Sequence, residues 1–454
     1  MQEPSRAATS WSCFAPHRGA PFAFFIDRAG DARLSFAGSR PREQLRIDRD
    51  GGARLWSGGQ WTSLPGDPIA NIAAFVERGR CVPRVLPEWL AGAPLPRTVG
   101  FLAYELGLWA DHGPIASSRS NGTAQSALGT PLAVLSTYDQ IDAWNPNTGR
   151  AEQVRFCMSP RDGEVPVVEA PDHSTWRDTT RGAYRAGFER IHDAIAAGDI
   201  YQANLSRRAV FDVPGDAAAA YEKLRRVQPV PWGSFLDFGG FALLSNSPEC
   251  FLVRDGERVF TQPIKGTRPR SANAADDAAQ AGELLRDPKE MAEHLMIVDL
   301  ERSDLGRVAR TGSVVVERLA AVESFATVHH VVSDVSAVLR EGTGVGELVR
   351  ATFPGGSITG APKLRAMQIL REVEETERGP YTGAIGFFHG AEQLELSIAI
   401  RTAIVSEGRG LSFAGGGIVA DSDPDREWNE TELKLAAFRE ALAERISNSL
   451  KTPL

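Results

Sequence analysis

The stretch AGGGIVADSDPDREWNET (residues 414–431) joins two local patterns that decide how this part of the chain folds. Its first half contains three consecutive glycines at the end of an apolar run, which is typical of a strand that other groups approach closely. Asp423 and Pro424 then predict the start of a helix. Glu427 and Glu430 follow with i,i+3 spacing, so their carboxylates share one helix face. The stretch therefore predicts a strand that leads directly into an acidic helix.

A second acidic helix is predicted by LLRDPKEMAEHLMIVDLE (residues 284–301). Asp287 suits the N-cap, Pro288 the first helical position and Glu290 the third position of a capping box. Glu290 and Glu293 again share a face. Carboxylates from two helices repel each other unless a cation lies between them, and such oxygen ligands suit Mg²⁺. The same spacing is common on solvated helix faces, so spacing alone leaves both interpretations open.

The rest of the chain alternates between short strand patterns and helix patterns. The segment YRAGFERIHDAIAAGDI predicts a helix that ends at Gly198, and RTVGFLAYELG predicts a buried strand that leads into a turn. Residues 159–174 are rich in proline and acidic side chains, and we interpret them as a surface connection. This interpretation divides the chain into an N-terminal region, residues 1–158, and a catalytic region, residues 175–450.

The composition indicates a globular protein with a large core. The chain has 454 residues, of which 42% are hydrophobic and 24% charged, and its formal net charge is −8. This balance, without a basic run, argues against a nucleic-acid partner. Four scattered cysteines without a C-x-x-C pair argue against a zinc site and favour a reducing compartment. No signal-peptide pattern and no membrane-spanning apolar run are evident, so we expect a cytoplasmic protein that does not engage a membrane.

Several polar residues interrupt apolar or glycine-rich segments. The loop FPGGSITGAPK (residues 353–363) precedes a predicted helix, and its backbone amides suit an anion, although the pattern alone favours a tight turn between packed elements. His329 and His330 lie in a predicted strand and therefore point to opposite faces. Arg401 interrupts a strongly apolar strand, so its guanidinium needs a carboxylate partner, either internal or from a ligand.

Nine motifs in chain order resemble those of the chorismate-utilising family: GDIYQANLSRR, SNSPECFL, PIKGTRPR, AEHLMIVDLERSDLGRVA, VHHVVS, FPGGSITGAPKLRAM, YTGAIGF, IAIRTA and AGGGIVADSDPDREWNET. That family contains the large subunits of anthranilate synthase and aminodeoxychorismate synthase, together with the isochorismate and salicylate synthases. The resemblance is strong over about residues 180–445 and weaker in the first region. It implies an α+β fold in which two packed antiparallel sheets carry outer helices around a cleft.

The resemblance also implies roles for individual residues. The implied metal ligands for Mg²⁺ are Glu293, Glu430, Glu290 and Glu427. The implied substrate-binding residues are Arg401, Tyr381, Gly415, Gly416, Gly417, Thr359, Lys434, Gln202, Gly266 and Thr267. The implied catalytic groups are Lys265, Glu249 and His330. In this scheme the metal holds the ring carboxylate of chorismate, and the pyruvyl carboxylate lies against Arg401 and Tyr381.

Two positions indicate which reaction within the family to expect. Members that add water at C2 carry a lysine base where this chain has Gln202, and glutamine cannot take a proton from water. Anthranilate synthases usually carry alanine where this chain has Lys265, whereas aminodeoxychorismate synthases typically carry lysine. A neutral lysine can attack C2, after which ammonia attacks C4 and expels it. Glu249 would then act as the general acid. Amination at C4 is therefore the expected reaction, with anthranilate synthesis as the alternative.

The resemblance finally implies the reaction partners. None of the four cysteines lies in a G-x-C-x-G context, so ammonia is expected from a separate glutamine amidotransferase subunit. A second enzyme would remove pyruvate from the product to give para-aminobenzoate for folate biosynthesis. In this family the N-terminal region can also hold tryptophan, either as a regulator or as a buried ligand.

Overall fold

Two large antiparallel sheets form the centre of the fold. The computed structural model describes residues 6–28, 33–79, 81, 83, 85–110, 128–156, 164–325 and 328–442. In this part of the chain the first sheet has the spatial order β18 (Gly360–Ala361), β10 (Gln202–Asp212), β22 (Arg409–Ile418), β21 (Thr402–Ser406), β12 (Ala242–Ser247), β11 (Trp232–Asp237), β1 (Phe24–Asp27), β2 (Ser35–Gly38), β8 (Gln140–Trp144) and β9 (Ala151–Arg155).

The second sheet lies against the first. Its spatial order is β15 (Ile264–Pro269), β17 (Val328–Val338), β14 (Arg258–Gln262), β13 (Cys250–Asp255), β20 (Gln393–Ile398), β19 (Ala384–His389), β6 (Thr98–Leu102), β7 (Ala133–Thr137), β3 (Glu43–Ile47), β4 (Ala53–Ser57) and β5 (Gln60–Leu64), and β16 (Val315–Ser324) pairs with β17. Apolar side chains from both sheets share one buried cluster, in which the rings of Phe36 and Phe387 lie 5.7 Å apart.

Helices pack against the edges and faces of these sheets. The described helices are α1 (Arg6–Phe14), α2 (Pro68–Arg78), α3 (Arg181–Ala196), α4 (Ala217–Val227), α5 (Ala274–Arg286), α6 (Pro288–Gly306), α7 (Val345–Thr352), α8 (Lys363–Val373) and α9 (Pro424–Leu442). The expected α+β architecture, with two antiparallel sheets and helices, is confirmed.

Both sheets contain strands from the N-terminal and the C-terminal parts of the chain. Strand β1 pairs with β11, and β6 pairs with β19, in both cases antiparallel. Each sheet is therefore continuous only when the two parts are hydrogen bonded to each other. The division at residues 1–158 and 175–450 stays a prediction about the chain, and the hydrogen bonding itself crosses it.

The predicted helix starts are confirmed, with one correction. Asp423 accepts hydrogen bonds from the backbone N–H groups of Asp425 and Arg426 at the start of α9. Asp287 likewise accepts from the first turn of α6. The prediction of a full capping box at Glu290 is wrong, because the N–H of Asp287 already donates to the preceding helix α5. The Glu290 carboxylate instead lies 3.5 Å from the Arg268 guanidinium.

The predicted connection between the two regions is only partly on the surface. Residues 159–163 lie outside the described residues. Val165 and Val168 are buried, and Val168 forms an isolated parallel bridge with Gly239. These two valines therefore anchor the end of the connection to the first sheet. The cysteine at position 157 also lies outside the described residues, and Cys13, Cys81 and Cys250 form no disulfide within the described structure.

Candidate active site

A cleft of about 670 Å³ opens beside the glycine-rich end of β22, between the second sheet and helices α6 and α9. All of the predicted site residues line it except Thr359 and Gln202. The chain reaches this cleft from strands of both sheets, from two helices and from the glycine loop before α8. Motifs that lie far apart in the sequence are thus brought together around one cleft.

Lys265 reaches the cleft from an irregular part of β15. The register between β15 and β17 shifts between Lys265 and Thr267, which marks a bulge. Gly266, in the bulge, has φ of +65°, and a Cβ there would lie 3.0 Å from Leu284 Cδ2. A residue with a side chain would therefore be strained at this position. The bulge changes the direction of the strand beside Lys265, which lies half-buried in the cleft wall.

Glu249 is a buried carboxyl group near Lys265. It lies between β12 and β13 and is 4% exposed. Its Oε1 accepts a hydrogen bond of 2.7 Å from the hydroxyl of Ser357. Burial raises the pKa of Glu249 to about 7, although the Ser357 hydroxyl and the nearby Lys265 charge oppose the rise. A carboxyl group with this pKa can give and take protons near neutral pH.

Four carboxylates from α6 and α9 border the same cleft, as the sequence predicted. Burial raises the pKa of Glu293, the Lys265 and Lys289 charges oppose the rise, and the Glu290 and Glu427 carboxylates add to it. Glu430 is more exposed, and although its partial desolvation opposes the effect, the Lys434 ammonium at 2.7 Å holds its pKa below its usual range. The site thus concentrates negative charge together with lysine counter-charges.

These carboxylates fit Mg²⁺ by donor chemistry, although each now has a separate partner. The partners are Lys289 for Glu293, Arg268 for Glu290, Ser422 for Glu427 and Lys434 for Glu430. Within the described ranges no group of three or more His, Cys, Asp or Glu side chains is placed to hold a metal ion. Carboxylate oxygens from facing helices are nevertheless the ligand type that Mg²⁺ prefers. Like charges on Glu293 and Glu427, which both line the cleft, would repel each other, and a divalent cation bound there would relieve this repulsion.

Arg401 provides an unpaired positive charge at the cleft. Its side chain has no hydrogen-bond or ion-pair partner among the described residues, although it influences the pKa of Glu249 and His330. Burial, followed by the Arg401 charge, lowers the pKa of His330 to about 4, so this imidazole is neutral at pH 7. Its Nδ1 lies 3.0 Å from the Thr267 hydroxyl and 3.2 Å from the carbonyl oxygen of Gly266, so both groups orient the ring. Arg401 is therefore available to bind a carboxylate ligand.

The glycine run of β22 presents backbone to the cleft. Strand β21 pairs with β22 only over Arg409–Ser412, so the opposite edge of β22 lacks this neighbour at Gly415–Gly417. A Cβ at Gly416 would lie 2.9 Å from Glu427 Oε2. Tyr381 is buried beside this run, and its ring stacks on Phe413 at 5.2 Å. A substrate can therefore approach the main chain here with little steric hindrance.

Two predicted substrate-binding residues lie behind the cleft wall. The Thr359 hydroxyl donates to the carbonyl oxygen of Gly355 at 3.0 Å, so it stabilises its own loop. The Gln202 side chain is fully buried behind Gly417, and neither its amide nitrogen nor its oxygen has a hydrogen-bond partner in the described structure. The structure thus does not bring these two side chains to the cleft surface, and their contact with substrate stays a prediction.

Other cleft residues were missed by the sequence reasoning. Ser357 lines the cleft and bonds to Glu249, and Arg268 and Lys289 pair with the carboxylates of α6. Ile400 and Phe413 supply apolar surface. Ser357, Arg268 and Lys289 lie within or beside motifs that the sequence already singled out. Their partners, however, are fixed by strand register and helix packing, which the local pattern does not reveal.

Comparison with known proteins agrees with this site. The family described as chorismate binding enzyme matches residues 53–440. Anthranilate synthase component 1 1 of Haloarcula marismortui is 38% identical over 94% of this chain and 97% of its own length. Aminodeoxychorismate synthase of Streptomyces griseus is 49% identical over 60% of this chain and 38% of its own length. The crystal structure of anthranilate synthase component I from Streptococcus pneumoniae matches with a TM-score of 0.74 and 27% identity, covering 90% of this chain and 92% of that one.

The chain belongs to the family of chorismate binding enzymes, because the family match spans most of its length. It is a chorismate-utilising enzyme with the fold of anthranilate synthase component I, and the family resemblance seen in its motifs is confirmed. Relatives of both names are similar to it, so the comparisons establish the class of enzyme and leave the product open. In the described part of the chain, no helix is long and apolar enough to cross a bilayer.

Proposed function

We propose that this protein is the subunit of an aminodeoxychorismate synthase that aminates chorismate at C4. The observation that carries the proposal is the position of Lys265, which lines the cleft and influences the pKa of both Glu249 and Glu293. A primary amine between a protonatable carboxyl group and an acidic cluster can serve as a nucleophile. The similarity to the Streptomyces griseus enzyme supports this choice of product.

The proposed reaction has two substitutions with balanced proton transfers. The neutral amine of Lys265 attacks C2 of chorismate, the ring double bonds shift, and the C4–O bond breaks. Glu249 gives its proton to the departing hydroxyl, which leaves as water, and takes one from the new C2 ammonium. Ammonia then attacks C4, and the double bonds shift back as the C2–N bond breaks. Glu249 returns a proton to the lysine nitrogen and removes one from the C4 ammonium.

The substrate is oriented by charges that the cleft provides. We propose that Arg401, together with the backbone of Gly415–Gly417, binds the pyruvyl carboxylate, with Lys434 already bonded to the Gly415 carbonyl oxygen at 2.7 Å. Glu293 and Glu430, with Glu290 and Glu427 beside them, would hold Mg²⁺, whose charge would offset that of the ring carboxylate and the acidic helices. His330, neutral at pH 7, lies where it can accept a hydrogen bond near the ring.

Ammonia is proposed to come from a separate glutamine amidotransferase subunit. The reaction itself needs only ammonia, so this chain should act alone when an ammonium salt is supplied. The product would require a separate lyase before it could become para-aminobenzoate for folate biosynthesis. Assays with added ammonium chloride therefore test the chemistry of this chain without its partner.

The test of the proposal is replacement of Lys265 by alanine. With chorismate, Mg²⁺ and no ammonia, intact-mass analysis should show an adduct on the wild-type protein and none on Lys265→Ala. With ammonia, the variant should lose at least about a hundredfold in C4 amination, the order of magnitude that nucleophilic groups supply. The control is Lys223→Ala, which removes an exposed lysine of α4. An adduct that persists in Lys265→Ala would contradict the covalent role.

The alternative function is that of anthranilate synthase component I. It is favoured by the match to the Haloarcula marismortui protein over nearly the whole chain. In that case chorismate, Mg²⁺ and ammonia would yield fluorescent anthranilate directly, without a lyase. Product identification by chromatography distinguishes the two functions in one experiment.

A further inference from the structure

The carboxyl group of Glu249 is held by two hydrogen-bond donors from different parts of the chain. The hydroxyl of Ser357 donates to its Oε1 at 2.7 Å, and the backbone N–H of Ile264, which precedes Lys265, also donates to it. Both donors favour the ionised carboxylate over the neutral acid. Since the carboxyl group is buried, these bonds are stronger than the same bonds in water.

Ser357 is itself held rigidly. It lies in a single helical turn, Gly356–Ile358, of the loop that precedes α8. The N–H of Gly356 donates to the buried carboxyl group of Glu301 at 3.0 Å, and the Thr359 hydroxyl donates back to Gly355. Bonds on both sides of Ser357 therefore fix the backbone of the loop. Because the loop is already ordered, the Ser357 hydroxyl loses little further conformational entropy when it bonds to Glu249.

We propose that Ser357 is a positioning residue that orients the carboxyl group of Glu249 and stabilises the charge it gains when it gives up its proton. This inference rests on the proposed function, because there Glu249 protonates the departing hydroxyl. The hydrogen bond strengthens as the carboxylate forms, so it stabilises the transition state more than the ground state. Ser357 also borders the cleft, which keeps the donor beside the reacting groups.

Titratable side chains from several elements face Glu249. Lys265 approaches from β15 and Arg401 from the turn between β20 and β21, and both favour the carboxylate. Glu301 on α6 and the buried thiol of Cys250 are the other titratable neighbours. Replacement of Ser357, unlike that of Lys265, Arg401 or Glu301, removes a bond to Glu249 without removing a charged or acidic group, so its effect on the protonation of Glu249 can be measured by itself.

The experiment compares Ser357→Ala with Ser357→Thr by measuring chorismate consumption from pH 5.5 to 9. In Ser357→Ala we expect a fall in kcat of about ten- to a hundredfold with little change in KM, since a bond to a developing charge is lost. The alkaline limb of the kcat profile, where Glu249 loses its proton, should move to higher pH. Ser357→Thr keeps the hydroxyl and should retain both the rate and the position of the limb.

A matched control removes a similar bond elsewhere. Ser336 donates to Glu317 at 2.6 Å on the surface, and Ser336→Ala should leave the profile unchanged. In a Glu249→Gln background, Ser357→Ala should have no further effect on the alkaline limb. If Ser357→Ala unfolds, Ser357→Gly provides the same comparison. An alkaline limb that stays in place when the hydroxyl is removed would overturn the proposal.

Consumption of chorismate does not depend on which product forms, so the two proposals can fail separately. Anthranilate as product would refute C4 amination, while the shifted limb would still support Ser357. If the wild-type protein consumed no chorismate, infrared difference titration against Glu249→Gln would follow the carboxyl group directly. A carboxyl titration at the same pH in wild type and Ser357→Ala would then refute the role of Ser357.

Discussion

Single residues set the chemistry of the cleft through partners that are distant in the sequence. Glu249 and Ser357 are 108 positions apart and share one hydrogen bond. Lys265 depends on a bulge beside Gly266, where glycine tolerates the backbone conformation. Arg401 differs from these residues, because it has no partner among the described residues and is available to bind a ligand.

At the residue scale we predict the effect of Arg401→Gln. The guanidinium makes no bond to the described protein, so its removal should leave thermal stability nearly unchanged. Loss of a charge-assisted bond to a substrate carboxylate should raise KM for chorismate by about ten- to a hundredfold. Steady-state kinetics and a melting curve check both expectations, with Arg302→Gln, which removes an exposed ion pair with Asp299, as the control. Unchanged KM would exclude Arg401 from substrate binding.

At the scale of elements, buried polar side chains connect turns that border the cleft. The Glu105 carboxylate, in the helical turn after β6, accepts the backbone N–H groups of Arg378 and Gly379. The Arg378 guanidinium in turn donates to Ile358, Asn204 and Thr382. One buried network thus joins the N-terminal part of the chain to the glycine loop and to the segment that carries Tyr381.

We predict that Glu105 makes stability depend on pH. Burial, with repulsion from Glu377, raises the pKa of Glu105 from 4.5 to about 8. The protonated form is therefore favoured in the folded state, and its contribution to stability is complete below pH 4.5 and is lost as the pH rises to 8. Inside this window the free energy of unfolding should fall by about 1.4 kcal/mol per pH unit from this group.

Urea unfolding at pH 5, 6, 7 and 8 measures this dependence. In Glu105→Gln the slope should be smaller by the amount that Glu105 contributes, whatever the change in absolute stability. Glu88→Gln, an exposed position, should keep the wild-type slope. Equal slopes in wild type and Glu105→Gln would show that Glu105 keeps an ordinary pKa in the folded protein.

At the scale of the whole molecule, the two sheets depend on strands from both ends of the chain. The first sheet is completed where β1 pairs with β11, and the second where β6 pairs with β19. The cleft residues belong to the later part of the chain, whereas nine of the 22 described strands in the two sheets come from the earlier part. The site is therefore supported by pairings that cross the middle of the sequence.

We predict that residues 164–454 do not fold alone, because removal of the earlier strands exposes the edges of β11 and β19 and the apolar cluster between the sheets. The isolated fragment should lack a near-UV circular dichroism signal and a cooperative melting transition. Adding a fragment of residues 1–156 should restore both by strand pairing. A separately folded, chorismate-consuming fragment of residues 164–454 would show that the earlier strands are dispensable.

The sequence by itself determined the features that depend on a few neighbouring residues. Asp287 and Asp423 start their helices because a cap needs only the next two or three residues. The spacing of the glutamates within α6 and α9 and the motif order were also readable, and they indicated the family. Helix period and N-caps depend on neighbouring residues, so these features could be predicted without knowledge of the sheet packing.

Only the tertiary structure decided which groups meet. Three features follow from the register and packing of strands that are far apart in the chain. They are the bond from Ser357 to Glu249, the lack of a partner for Arg401 among the described residues, and the end of the β21 pairing before Gly415–Gly417. The predicted capping box at Glu290 was wrong for a local reason, because α5 ends just before α6 and the N–H of Asp287 that the box requires already donates to Glu283. Long-range pairing results from burial of whole sheets, which no short motif specifies.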